Sequence, residues 1–208
     1  MSQIAIVYHS GYGHTARQAE AVARGVRGSP GAVAHLIRAE AVEQHWPTLA
    51  AADAIIFGAP TYMGSLSAPF KAFMEASSKP WAAQAWKDKL AAGFTNSASQ
   101  NGDKLASLQQ LAIFAAQHGM VWVGLGLLPG NNTSTASPED LNRLGSFLGA
   151  MAQSNADQGP EHGPTQADLR TAEHLGRRVA EAAARWRLGQ PASAACGGVS
   201  APARGIGP

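Results

Sequence analysis

The chain has 208 residues, 45% of them hydrophobic and 14% charged, enough for one domain with a sizeable core and unlike a disordered or membrane-embedded composition. Sixteen Lys and Arg against fourteen Asp and Glu leave a net charge of +2. With no basic cluster that weighs against a nucleic-acid partner, and it also withholds the negative field by which an acidic electron carrier steers. No apolar run reaches the roughly 18 residues of a membrane span, the chain opens without a basic-then-apolar leader, and the single Cys196 offers no intrachain disulfide. A cytoplasmic protein without membrane insertion is expected.

In chain order, Gln3 to Tyr8 is a short apolar run suited to a strand buried on both faces. A helix is predicted from roughly Thr15 to Arg27, stopped by Gly28-Ser29-Pro30-Gly31. Val33 to Ile37 reads as a second strand, Trp46 to Ala51 as a short turn or helix, and Asp53 to Gly58 as a third strand. Pro69 then opens a helix to about Ser77, with proline at a tolerated first-turn position. Leu90 to Thr95 is a fourth strand, Leu105 to His118 a helix, and Met120 to Leu125 a fifth strand. Pro129 to Pro164 reads mostly as loop, within which Ser137-Pro138-Glu139-Asp140 could open a short helix. A loop of that length in a compact domain is more often functional or contact-forming than idle. Thr165 to about Leu188 is a closing amphipathic helix, so residues 1–188 form the predicted domain and 189–208 an Ala/Gly/Pro/Ser-rich tail expected to be disordered. Five strands alternating with helices predict an α/β fold, a doubly wound five-stranded parallel sheet with helices on both faces.

Ligands of such sheets sit beyond the carboxyl ends of the strands, which directs attention to three loops. Ser10-Gly11-Tyr12-Gly13-His14-Thr15 joins the first strand to the first helix. Its backbone N–H groups and the helix N-terminus suit a phosphate held by neutral donors, since the segment has no Lys or Arg. It is neither a dinucleotide fingerprint nor a P-loop, and a glycine-rich turn with a Thr cap explains it equally well. Gly58 to Ser65, including Pro60, Thr61, Tyr62, Met63 and Gly64, follows the third strand and could bring backbone close to a flat ring. Thr95, Asn96, Ser97, Ala98, Ser99, Gln100, Asn101 and Gly102 follow the fourth, offering small residues and amide donors. His118 closes a helix, where a dipole partner is the plain reading. Trp81 is either a packing residue or an aromatic wall, whereas Trp46, Trp86, Trp122 and Trp186 read as core or interface.

Tyr8 to Thr15, Y-H-S-G-Y-G-H-T, resembles the phosphate loop of flavodoxin-like FMN proteins, and most of all the Y-x-S-x-Y-G-H loop of WrbA-type NAD(P)H:quinone oxidoreductases. Gly58 to Gly64 is similar to the family's G-x-P-T-x-x-G loop, and His118-Gly119-Met120 to its H-G-M segment. The resemblance covers roughly residues 1 to 187. It implies a flavodoxin-like fold and non-covalent FMN, with the first loop on the phosphate, the second beside the isoalloxazine, and the third along the ribityl chain and pyrimidine edge. It also implies His118 near the flavin, reached in some arrangements across a subunit boundary, and Tyr12 and Trp81 orienting an incoming ring. NADH or NADPH would reduce the flavin and leave, and a quinone would enter the same cavity in turn, without a dedicated catalytic acid or base. The third loop is poorer in glycine and threonine than the family pattern. Arg38 to Asp53 is shorter than in WrbA-type relatives, where an insertion helps build the tetramer; a homo-oligomer, dimer or tetramer, is still the implied state.

Two further readings come from different classes: an electron-transfer carrier without NAD(P)H activity, and an interaction protein that keeps the fold. No H-E-x-x-H, paired cysteines or G-x-S-x-G elbow supports metal or serine-hydrolase chemistry.

Overall fold

The computed structural model describes residues 1–189. The predicted tail from residue 190 onward, with Cys196, lies outside them. The strands are β1 (Ser2–Tyr8), β2 (Ala32–Arg38), β3 (Ala54–Tyr62), β4 (Ser65–Leu66), β5 (Leu90–Ser97), β6 (Val121–Trp122) and β7 (Ala150–Gln153). The helices are α1 (His14–Arg27), α2 (Trp46–Ala51), α3 (Ala68–Ala76), α4 (Ser78–Ala82), α5 (Lys104–Gln117) and α6 (Gln166–Gly189), with a 3-10 turn over Ala39–Gln44.

The sheet runs β2-β1-β3-β5-β6 and is parallel along that path. In the centre, Ile6 faces Leu36 on one side and Ile56 on the other, and Phe57 faces Gly93. The apolar runs of β1, β3 and β5 are buried on both faces, as expected of a covered parallel sheet.

The fifth sheet position departs from the sequence reading. The predicted strand Met120–Leu125 keeps only Val121 and Trp122, which pair with Leu90 and Ala91. The upper part of the position is filled by β7, whose Ala150 to Gln153 pair in parallel with Phe94 to Ser97. One strand position is thus built from two pieces, and residues 123–149 loop out between them. The chain leaves the sheet where Leu125 N–H turns to the Phe147 carbonyl (2.9 Å) and Trp122 Nε1 to the Leu148 carbonyl (2.9 Å). Within the excursion, Ser137 to Asp140 forms a turn and not a helix: Asp140 Oδ2 accepts from Ser137 N–H and Ser137 Oγ from Glu139 N–H, which satisfies that backbone locally.

β3 also runs further than predicted. Ala59 to Tyr62 continue as strand because Pro60 pairs with Asn96 and Tyr62 with Ser65 of β4, pairings that override the turn reading of the Pro-Thr pair.

The core has two halves. One face is covered by α1 and α6 and is almost wholly aliphatic, built around Ile4, Ile6, Val22, Val26, Ile56, Leu175 and Val179. The other lies under α3, α5 and the short helices, and is aromatic: Phe57, Phe70, Phe73, Trp86 and Phe114. The α1–α6 contact is backbone on backbone. A Cβ on Gly25 would lie 1.9 Å from the Glu173 carbonyl oxygen, and one on Gly176 2.0 Å from that of Val22.

Candidate functional site

Four loops meet at the carboxyl edge of the sheet and enclose a cleft of about 660 Å³, within the size range of cofactor sites. The first loop enters α1 through Gly13, whose φ of 90° lies in the left-handed region that glycine tolerates. Ser10 Oγ accepts from Gly13 N–H and Ala16 N–H, both at 3.1 Å. That holds the turn closed and leaves the Ser10 hydroxyl proton free to donate outward. Ser10, Tyr12, His14 and Thr15 line the cleft. His14 is 9% exposed, and its Nε2 is buried without a hydrogen-bond partner, the kind of orphan a ligand oxygen satisfies.

The second loop is a two-residue turn between β3 and β4. Met63 (φ 49°) and Gly64 (φ 75°) are both left-handed, as a type I′ hairpin requires. Met63 is fully exposed at the rim, and Pro60, Thr61, Tyr62, Met63 and Gly64 all line the cleft. Tyr62 reaches back to the first loop, its hydroxyl lying close to Gly11 and its ring meeting Tyr12 edge-on at 6.3 Å between ring centroids. Burial, then Tyr12, raises the Tyr62 phenol above its ordinary range, so it stays protonated at neutral pH.

Of the third loop, Asn96, Ser97, Ala98, Ser99 and Gly102 line the cleft. Thr95 is fully buried beneath it. Its Oγ1 shares a hydrogen bond with Thr61 Oγ1 (2.8 Å), which also reaches Ser107 Oγ (2.7 Å), so three hydroxyls tie β3, β5 and α5 together under the site. Gln100 and Asn101 are outside the lining, Asn101 Oδ1 capping Asp103 N–H at 3.2 Å. Gly11 and Gly13 shape the first loop without lining the cleft.

Two expected contacts are not made within this chain. His118 is 2% exposed, lies against Trp86 with ring centroids 4.2 Å apart, and shares a hydrogen bond with Ser77 Oγ at 2.9 Å. It packs into the aromatic core because the helix end that carries it faces inward, and burial pushes its imidazole down to about 4. Trp81 stands on α4, 46% exposed and away from the cleft.

The sequence reading missed the fourth wall. Ser154, Asn155, Ala156, Gln158 and Gly159, which follow β7, complete the lining. Ser154 Oγ lies 3.1 Å from Asn96 Oδ1, and Arg17 of α1 donates to the Pro160 carbonyl, strapping this loop against the turn at Gly13. The length of the 129–164 segment was the only signal. His9 was also missed. Its Nδ1 lies 2.8 Å from Ser67 Oγ, coupling the end of β1 to the start of α3, and burial lowers its pKa more than Glu40 raises it. Trp86 is core as expected, with Trp46 and Trp122 packed against the same aromatic cluster, whereas Trp186 is 40% exposed. Among the described residues no helix is long and apolar enough to cross a membrane.

Loops converging beyond the strands of a doubly wound parallel sheet, with a helix N-terminus and a ring-sized cleft, define a flavin-nucleotide-binding protein of the flavodoxin type. Comparison with known proteins agrees. The family model described as NADPH-dependent FMN reductase matches residues 21–133. The chain is 44% identical over 194 residues to flavodoxin FldP of Pseudomonas aeruginosa (91% of this chain, 98% of the relative). It is 37% identical over 204 residues to an NAD(P)H dehydrogenase (quinone) of Geobacter sulfurreducens (88% and 98%). The crystal structure of a flavodoxin, WrbA-like protein from Agrobacterium tumefaciens superposes with a TM-score of 0.69 at 47% identity, covering 89% of this chain and 99% of that one. The chain belongs to the NADPH-dependent FMN reductase family, among its WrbA-type flavodoxin-like members. It is an FMN flavoprotein and an oxidoreductase.

Proposed function

We propose that the chain passes electrons from NAD(P)H to a quinone-like acceptor, the two substrates taking turns in one cleft. The observation that carries this is the convergence of four loops on a single cleft with Tyr12 and Met63 exposed at its mouth, which leaves room for a second flat ring. The donor set fits FMN: the Ser10 hydroxyl, the orphaned His14 Nε2, Thr15 and the N-terminus of α1 suit a phosphate without any cation. Asn96, Ser97, Ser99, Ser154, Asn155 and Gln158 of the third and fourth loops suit the polar remainder.

FMN, when bound, supplies the two-electron chemistry, and the protein supplies binding, orientation and polarity. Ser10, His14 and Thr15 would hold the phosphate, and the Met63–Gly64 turn and the 96–99 segment would border the ring. Tyr12 would orient the incoming nicotinamide or quinone. No side chain is assigned a dedicated proton-transfer role, since Tyr62 stays protonated and His118 is sealed in the core. Trp81, exposed and outside the lining of this cleft, would serve the cleft of a second copy in the homo-oligomer that this reading includes.

A flavodoxin-like carrier is the second reading, favoured by the name of the Pseudomonas relative. Steady-state oxidation of NADH and NADPH with benzoquinone by the FMN-loaded protein separates the two: turnover with either supports the reductase, and none with both supports the carrier. Flavin titration of His14→Ala tests the cofactor end, with FMN affinity expected to fall at least about tenfold, the worth of a charge-assisted hydrogen bond. Unchanged affinity would remove His14 from the phosphate site.

A further inference from the structure

Beneath the third and fourth loops lies a set of buried charges that cofactor binding does not by itself explain. Lys104, the first residue of α5, has no exposed surface. Its Nζ donates to Ser97 Oγ (2.8 Å), the Ser99 carbonyl (2.7 Å) and the Gln100 carbonyl (2.9 Å). Asp168 on α6 is 1% exposed and takes both arms of Arg143, from Nε (2.8 Å) and Nη2 (2.7 Å), and the backbone N–H of Gln153 (2.9 Å). Gln153 in turn donates from Nε2 to the Ala98 carbonyl (3.1 Å), and Ser154 N–H donates to the Ser97 carbonyl (3.2 Å). Each residue from 97 to 100 is therefore gripped from behind through at least one acceptor, and the fourth loop leaves from the same anchor.

The ions do not balance: two cations stand with one carboxylate. Burial pushes the Lys104 ammonium down to about 8, opposed by Asp168 and assisted by Arg143, so it still carries its charge at neutral pH. A buried net positive charge is screened far less than an exposed one. Reduction of bound FMN by two electrons and one proton adds one negative charge to the ring. A fixed charge of opposite sign behind the ring's wall stabilises that state over the oxidised one, and by linkage a difference in affinity for two redox states is a shift in potential.

We propose that Lys104, Arg143 and Asp168 form a buried, net-cationic latch that holds the 97–100 and 153–159 loops and makes the site bind reduced FMN more tightly than oxidised FMN. Lys104 is its main positioning residue. It touches the loop and does not line the cleft. This rests on the FMN-binding reading above.

The test is a pair of measurements, oxidised-FMN affinity by titration and the two-electron midpoint potential, on wild type, Lys104→Gln, Lys104→Arg and Asp168→Asn, with folding checked by urea denaturation. Lys104→Gln keeps donors but drops the charge, and is expected to weaken binding of reduced FMN about tenfold more than that of oxidised FMN. That lowers the potential by about 30 mV, since tenfold is 29.6 mV for a two-electron couple. Lys104→Arg should restore the wild-type potential. Asp168→Asn, measured at about pH 6 so that Lys104, whose charge Asp168 helps to hold, keeps its proton, leaves the cations unopposed and should move the potential the other way. Equal loss of both affinities in Lys104→Gln, with the potential unmoved, would reduce the latch to a mere clamp and overturn the proposal. If Lys104→Gln does not fold, Asp168→Asn decides alone: no rise in potential overturns it. A wild-type chain that takes up no FMN overturns the cofactor reading, a result distinct from FMN binding with an unmoved potential.

Discussion

The two faces of the sheet are packed by opposite means, and each anchors one half of the site. On the α1/α6 face the side chains are almost all aliphatic, Phe94 and Tyr8 apart, and the helices touch through glycine backbones at positions 25 and 176. On the other face Phe57 sits among Phe70, Phe73, Trp86 and Phe114, with ring centroids 5.2–6.4 Å away. The first and fourth loops lead into α1 and α6, so their side of the cleft is held by a contact with no room to give. The second and third loops lead into α3 and α5, so the opposite side rests on interlocked aromatic rings. The first side is intolerant of added volume, and the second of lost volume.

The largest effect is expected from emptying the aromatic face. Phe57→Ala should cost about 4 kcal/mol, typical of a buried Phe→Ala truncation, measured by urea unfolding; a loss under about 1.5 kcal/mol would mean the neighbouring rings collapse into the space. Next comes filling the aliphatic face. Gly176→Ala should cost about 3 kcal/mol through overpacking against the Val22 carbonyl, even though alanine favours helix by about 1 kcal/mol. If it stabilised the fold, α1 and α6 would be free to separate and the contrast between the faces would fail.

The aromatic face should also carry an acid sensitivity. His118 has its folded pKa lowered from 6.5 to about 4 by burial. Above 6.5 both states hold it neutral and nothing is lost. As pH falls below 6.5 the unfolded chain takes up a proton that the folded chain refuses, and the loss is complete by about 4. Between pH 7 and 5 this amounts to about 2 kcal/mol, read from urea midpoints, and His118→Gln should flatten the slope. An equal slope in the variant would assign it to other groups. The smallest effect belongs to the exposed Arg24–Glu173 pair (3.5 Å) across α1 and α6. Arg24→Ala should change stability by less than about 0.5 kcal/mol; a larger loss would show that charge, and not backbone approach, joins those helices.

Much of this was legible in order along the chain. The apolar runs at β1, β3 and β5, the helix from about Thr15 to Arg27 and the turn at 10–15 follow from local pattern, and most of the residues named at 10–15, 60–64 and 95–102 line the cleft, although Pro60 to Tyr62 do so from strand β3 rather than from a loop. The misses share one cause. His118 was put near the flavin by its H-G-M segment alone, yet within one chain its surroundings are Ser77 and Trp86, which arrive from elsewhere in the sequence. Thr95 sits in the third loop's sequence but beneath its surface, bonded to Thr61.

By itself the sequence determined the α/β alternation, the family, and the glycine turn into α1, because these depend on hydrophobic period, glycine placement and residues that are neighbours in the chain. Only the tertiary structure decided that the fifth sheet position is shared by Val121–Trp122 and Ala150–Gln153, that residues 154–159 close the cleft, and that Lys104, Arg143 and Asp168 meet beneath it. Those features join segments tens of residues apart. Their stabilisation comes from burial and pairing across that gap, which no local pattern encodes.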